Sequence, residues 1–222
     1  MAVIAVAGLI GSGKDTVAEY LVNEHGFKRE SFAGSLKNAT AAIFGWQRDL
    51  LEGHTAESRQ WRETVDTWWA TRLGIPNLTP RWVLQYIGTD VLRQHFHDDI
   101  WVAGIEYKLQ KSKENIVISD CRFPNEITAL RRINAQIIRV KRGADPTWFE
   151  VAKQAMAKGD TSIMQRQFPA VHSSEYSWAN TDFDQVLFND GSLKELYTSV
   201  DILAKRTLHS GKPTPVLEVQ FL

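Results

Sequence analysis

The sequence predicts an α/β fold, a parallel sheet flanked by helices, on three observations. In "VIAVAGLIGSGKDTVAEYL", residues 3–21, five small or β-branched apolar residues run into glycines, and Val17, Ala18 and Leu21 then recur at helical spacing. "NIVISDCRF", residues 115–123, is a continuous apolar run that ends in Asp120, as expected of a central strand buried on both faces. Strand-like and helix-like segments alternate along the chain, which argues right-handed crossovers between parallel strands.

Each element follows in order. A strand over 3–7 feeds a glycine turn and a helix from Lys14. "FKRESFAG" reads as a short strand ending at Gly34, and "SLKNATAAIF" sets Leu36, Ala39 and Ile43 on one helical face. Residues 47–79 are polar and tryptophan-rich, and Gly74, Pro76 and Pro80 punctuate the chain before the next helix. That helix, "RWVLQYIGTDVLRQHF", spaces Val83, Leu84, Ile87, Val91 and Leu92 for burial. Gly88 within it costs about 1 kcal/mol relative to alanine and signals a close approach by a neighbour. A helix from Asp99 to Lys111 leads to the strand ending in Asp120; "PNEITALRRINA" is a helix and "QIIRVKRG" a strand. Residues 143–178 form an irregular or helical excursion, and "QVLFND" with "GSLKELYTSVDILAK" closes the fold as strand and helix. The end, "GKPTPVLEVQFL" at 211–222, has no periodic partner and reads as a tail, docked or disordered or foreign to the fold.

Composition bounds the function. The 222 residues suffice for one domain with inserted lobes, and a single cysteine, Cys121, excludes an internal disulfide and fits a reducing compartment. Lys plus Arg equals Asp plus Glu at 26 each, so no global charge invites long nucleic acid or an anionic membrane. No basic segment followed by a long apolar run opens the chain, so neither a signal peptide nor a spanning helix is expected, and the location read from this is cytoplasmic. Six of the eight tryptophans fall between residues 46 and 101, a stretch compositionally its own.

The chemistry begins in the glycine turn. Gly8, four residues, then Gly13 and Lys14 is the spacing of a loop whose backbone N–H groups wrap polyphosphate oxygens while the lysine reaches the terminal phosphates. Asp15 stands where Ser or Thr ordinarily contacts magnesium, so direct coordination of that kind is not expected, and Thr16 offers the nearest hydroxyl. Asp15 reads either as an ordinary acidic first-turn residue or as a partner for a basic side chain. In a parallel sheet the ligand lies beyond the C-terminal strand ends, where the turn, Asp120 and Asn189 converge.

Five stretches in order, "GSGKDT", "AGSLKNA", "RWVLQYIGTD" with Trp101 beyond it, "DCRFPNE", and "HSSE" with the later "NDGSLKEL", resemble the bacteriophage-type deoxynucleoside monophosphate kinases over nearly the whole chain. In that family Asp-Thr after the lysine is usual. The resemblance implies a P-loop NTPase fold of the adenylate-kinase kind in one domain over 1–222, with an acceptor-binding insertion at about 35–112 and a lid at about 142–178. It implies ATP and Mg2+, small-molecule substrates, no nucleic-acid or membrane partner, and a homodimer for which the periodicity identifies no interface. For a phage-borne chain the location becomes the host cytoplasm.

Carried over by position, Gly11, Ser12, Gly13, Lys14, Asp15 and Thr16 would contact ATP, with Asn189 and Gly191 near the adenine. Lys37 and Arg81 would take the acceptor phosphate, Gln85 the base edge, and Trp101 would stack on the base. Asp120, Arg122 and Glu126 would line the boundary between donor and acceptor, and Glu175 would belong to the substrate site. Lys14 would stabilise the moving phosphoryl group, with Arg122 as the first transition-state cation and Arg142 as the second.

Several of these residues also read plainly. Lys37 reads as a solvated helix lysine, Trp101 as core, Asp120 as a helix cap and Glu126 as a surface residue. His172 and Glu175 read as a hydrogen-bonded turn. "HFHDD" at 95–99 lacks a further cluster at ligand spacing, so no protein-held metal is expected, and Cys121 reads as a small buried residue. Two rival functions remain at this stage. Dephospho-coenzyme A kinase would use Asp120 as a base on a ribose hydroxyl, and a nucleotide-binding regulator would present the tryptophan-rich segment as a partner surface.

Overall fold

The computed structural model describes residues 1–209; the tail expected at 211–222 lies outside the described residues. In chain order the elements are β1 (Val3–Ala7), α1 (Lys14–His25), β2 (Lys28–Glu30), α2 (Gly34–Phe44), a 3-10 turn (Arg48–Leu51), α3 (Ala56–Glu63), α4 (Thr67–Leu73) and α5 (Pro80–Gln85). A π-helix (Tyr86–Phe96), α6 (Ile100–Lys111), β3 (Ile116–Ile118), α7 (Pro124–Arg132) and β4 (Gln136–Lys141) follow. Then come α8 (Thr147–Lys158), α9 (Ser162–Gln167), α10 (Ser173–Tyr176), β5 (Gln185–Phe188) and α11 (Leu193–His209). The chain divides into two compact units, one of Met1–Ser31 with the chain from Ile105 onward, the other Phe32–Gly104.

The first unit holds a five-stranded, wholly parallel sheet in the order β2-β3-β1-β4-β5. Every residue of β1 and β3 is buried, which is why neither alternates in sequence: each strand presents apolar side chains to helices on both faces. On one face Ile4, Val6, Val117, Ile138, Val140 and Leu187 meet Val17, Ala18 and Leu21 of α1 and Leu196, Val200, Leu203 and Ala204 of α11. Ala5, Ile118 and Ile137, pointing the other way, are equally inaccessible. β1 sits at the centre, with β3 on one side and β4 on the other, so its C-terminal end opens where the connections part.

The second unit is built by the tryptophans. Trp46, Leu51, Ala70, Leu78 and Val83 form its buried cluster, with Phe44, Trp61 and Trp69 packed against it. Phe44 stacks on Trp46 at 4.3 Å between ring centroids, and Trp61 meets Trp46 edge-on at 5.7 Å. Trp46 and two tryptophans of the polar stretch, Trp61 and Trp69, therefore help supply a core, whereas Trp68 remains 63% exposed.

Two local expectations are corrected here. The helix expected over 81–96 is α-helical only to Gln85 and continues as a π-helix. Val83 of α5 is buried, and Leu84 and Ile87 pack, partly buried, against the same core; in the wider winding beyond, Val91 and Leu92 are only partly buried, while Gly88 and Arg93 turn inward. In α2 the inward pair is Leu36 with Thr40, whose hydroxyl donates to the Leu36 carbonyl, while Ala39 and Ile43 face out.

Candidate active site

The loop after β1 closes through glycines in conformations other residues resist. Gly8, Gly11 and Gly13 have φ of +150°, +77° and +103°. A side chain at Gly8 would overlap the Val140 carbonyl, and one at Gly13 would overlap the Asn189 amide. Gly13 is the residue before α1, and no side chain caps that helix, which leaves its first N–H groups directed at the loop. Beyond β5, Asn189 donates through Nδ2 to the Ser12 carbonyl at 2.9 Å and through its backbone N–H to the Lys141 carbonyl at 2.8 Å. The turn and Asn189 thus meet at the C-terminal edge of the sheet, as expected. Gly191 stands just ahead of Ser192, which with Glu195 caps α11.

Lys14 folds back, its Nζ donating to the Leu9 carbonyl at 2.8 Å. Burial first, and then the nearby Arg122 guanidinium, push its ammonium down from 10.5 to about 8, against the opposing pull of Asp15 and Glu175. Asp15 is exposed and pairs with Arg29 of β2, whose Nη2 also donates to the Ser119 hydroxyl at 2.7 Å. Thr16 is half-buried in the first turn of α1.

The segment after β3 brings the other charges. Asp120 accepts from the Ser31 hydroxyl at 2.7 Å. Arg122 donates through Nη1 to Glu175 Oε1 of α10 at 2.7 Å. Glu126 is 2% exposed, and its Oε2 accepts the backbone N–H groups of Arg122 at 2.7 Å and Phe123 at 3.1 Å. It is not the surface residue its sequence position allowed; its carboxylate fixes the backbone from which Arg122 projects. His172 caps the short α10 by accepting from the Ser174 N–H at 3.2 Å, which sets Glu175 on that helix. Arg142 is exposed immediately after β4.

In the second unit Lys37, Arg81 and Trp101 each have a partner of their own. Lys37 Nζ meets Glu52 Oε2 at 2.6 Å, and Arg81 Nη1 meets Glu63 Oε1 at 2.8 Å. Trp101 donates its indole N–H to the Gly88 carbonyl at 3.0 Å, while Gly88 itself lies so near Leu36 Cδ2 that an added Cβ would come within 2.6 Å of it. Gln85 ends α5, half-buried.

Sequence reading missed Arg29, Ser31 and Arg139. Arg139 is a buried strand arginine, paired with Asp145 and lying over the rings of Phe149 at 4.3 Å and Trp178 at 5.4 Å, so it ties the segment beyond β4 to the sheet. The charge inside "QIIRVKRG" was its one visible signal. Among the described residues no group of three or more His, Cys, Asp or Glu side chains gathers in a metal-holding arrangement, and no helix is long and apolar enough to cross a membrane.

The glycine loop at the edge of this sheet makes the fold that of the P-loop NTPases. The sequence model described as "Deoxynucleotide monophosphate kinase" matches residues 69–149. A protein of Acanthamoeba polyphaga mimivirus, provisionally named deoxynucleotide monophosphate kinase, is 28% identical over 214 residues, 90% of this chain and 94% of its own. The deoxynucleoside-5'-monophosphate kinase of Escherichia phage T5 is 26% identical, over 59% of this chain and 72% of its own. The deoxynucleotide monophosphate kinase of Enterobacteria phage T4 is 21% identical, over 90% and 97% respectively.

Proposed function

We infer that this chain is a deoxynucleoside monophosphate kinase of the bacteriophage type, moving the γ-phosphoryl group of ATP to the 5′-phosphate of a deoxynucleoside monophosphate for DNA precursor synthesis. The observation that carries the reading is Lys14, held beside Arg122 at a glycine loop whose helix start has no side-chain cap. That is a site built for polyphosphate.

The backbone of residues 11–13 and the first turn of α1, with Ser12, Asp15 and Thr16, receive the ATP phosphates. Lys14 exchanges the Leu9 carbonyl for phosphate oxygens and Arg122 exchanges Glu175 for the moving group, so both cations are already placed when the charge spreads. Glu175 is the parking partner for Arg122, and Glu126 is a positioning residue. Arg142, exposed after β4, is the second candidate for neutralising the transferred group. Asn189 and Gly191 shape the loop and the adenine end, and Asp120 bounds the phosphates. Lys37, Arg81, Gln85 and Trp101 serve the acceptor. The acceptor phosphate is an anion at neutral pH, so the transfer needs no strong base and no covalent intermediate.

Magnesium belongs to ATP in this scheme. Asp15 is engaged by Arg29 and Asp120 by Ser31, and the described residues gather no carboxylate cage, so an ion arriving with ATP would be held chiefly by the triphosphate and water. It would supply charge neutralisation of the phosphates. The working location is the cytoplasm, and the homodimer implied by the family is part of the same proposal. The regulator alternative loses its main feature, since Trp46, Trp61 and Trp69 build a core.

The test is ADP release from ATP and Mg2+ with each deoxynucleoside monophosphate, its ribose counterpart and dephospho-coenzyme A, one at a time. Stimulation by deoxynucleotides is the expected result. Stimulation by dephospho-coenzyme A alone, or ATP binding that no acceptor stimulates, would overturn the reading.

A further inference from the structure

Within the unit Phe32–Gly104, basic side chains converge on the turn that follows the 3-10 segment. Both oxygens of Glu52 are taken there: Oε2 by Lys37 Nζ at 2.6 Å and Oε1 by Arg48 Nη1 at 2.5 Å, with His54 Nε2 3.6 Å from Oε2. Arg62 Nη1 lies 3.4 Å from the carbonyls of Leu51 and Glu52, and Arg59 Nη1 donates to the His54 carbonyl at 2.9 Å. Gly53, with φ +73°, brings the backbone so close to the Arg62 guanidinium that any side chain there would overlap it. One carboxylate thus answers three basic side chains directly, and two more arginines bind the backbone of the same turn.

A bridge serving only the fold needs one cation per carboxylate, and it gains little from adding more. Here the Lys37 side chain is only 12% exposed, an expensive place for an ammonium unless an anion is held beside it. Burial works to raise the Glu52 carboxyl, yet Lys37 and Arg48 outweigh it and hold it at about 2. A carboxylate gripped by an ammonium at one oxygen and a guanidinium at the other imitates the contacts that a phosphate monoester makes. A phosphate dianion carries twice the charge and a third oxygen for His54.

We propose that this turn is the seat of the acceptor's 5′-phosphate, with Glu52 as a resident anion that the phosphate displaces, and with Arg48 and His54 joining Lys37 as acceptor-binding residues. The proposal rests on the kinase reading and adds to it the residues that select a phosphate monoester. Glu52 keeps the basic side chains from repelling one another while the seat is empty, and it makes entry depend on an anion strong enough to take its place. Nucleosides and singly charged carboxylates do not meet that condition.

The experiment measures KM for the best deoxynucleotide acceptor and for ATP in the wild type, Glu52→Gln and Arg48→Ala, together with inhibition by inorganic phosphate. Glu52→Gln is expected to lower the acceptor KM about tenfold and to strengthen competitive inhibition by phosphate. Arg48→Ala is expected to raise the acceptor KM about tenfold, and in both variants the KM for ATP moves less than twofold. If Arg48→Ala fails to fold, Arg48→Lys and thermal shifts with inorganic phosphate on Glu52→Gln carry the test. Acceptor KM values within twofold of wild type in folded variants, or a higher acceptor KM in Glu52→Gln, would overturn the proposal. A wild type without acceptor-dependent ADP would instead sink the kinase reading on which it rests.

Discussion

Replacing Lys14 by methionine should abolish turnover and at the same time make the protein more stable. The fold lowers the Lys14 pKa from 10.5 to about 8, mainly through burial and then through Arg122. The charged form is therefore disfavoured in the native state, by at most about 3.5 kcal/mol at roughly 1.4 kcal/mol per pKa unit. Methionine keeps the length of the side chain but loses the hydrogen bond to the Leu9 carbonyl, a cost of about 1 kcal/mol, and water reaching the partly open loop removes about as much again. A net gain of about 1.5 kcal/mol remains, or roughly 3–6 °C in Tm for a chain of this size. The pH dependence has a definite sign. Between pH 8 and 10.5 the unfolded chain binds more protons than the folded one, so wild-type stability rises with pH across that window and the advantage of Lys14→Met fades there. Thermal melts without nucleotide from pH 7 to 10.5 measure both effects, and added ATP should stabilise the wild type far more than the variant. A variant that melts several degrees below wild type at pH 7, or that ATP protects equally well, would refute the account of Lys14 as a strained phosphate ligand.

Three further outcomes follow from the same geometry. Arg122→Ala should lower kcat by about a hundredfold while KM for ATP changes little, in steady-state kinetics with saturating acceptor; a pure KM effect would move Arg122 to ground-state binding. Glu126→Gln should lower kcat by about tenfold through a loosened Arg122 backbone, with slower turnover but unchanged KM values separating a positioning role from a binding one. Gly8→Ala should destabilise the protein by about 2–4 kcal/mol in denaturant melts, because its φ of +150° and the Val140 carbonyl leave no room for a methyl group.

The parts of this fold that were legible in the sequence are those that local pattern determines. β1, the glycine turn and α1 are contiguous, and the apolar run before Asp120 could be read because both faces of that strand are covered. Their convergence with Asn189 followed from the parallel order of the sheet alone. What stayed hidden depends on partners distant in sequence or on winding. Whether Asp15 pairs with Arg29 becomes decidable only once β2 is laid beside β3, and the carboxylate of Glu126 has the same spacing whether it meets solvent or two backbone N–H groups. The π-helix escaped because helical periodicity presumes an α-helix; beyond Gln85 that presumption gives no sign that Arg93 turns inward. Trp46, Trp61 and Trp69 looked like an anomaly of composition until their edge-on and stacked pairings showed them to be part of a core.

The most direct measurement of the central claim is a single-turnover reaction with ATP labelled at the γ-phosphate, with enzyme in excess and one deoxynucleoside monophosphate present. The account predicts that the label appears on the β-phosphate of the deoxynucleoside diphosphate in step with ADP, one for one. Label released only as inorganic phosphate, or retained on ATP whichever deoxynucleotide is supplied, would contradict it.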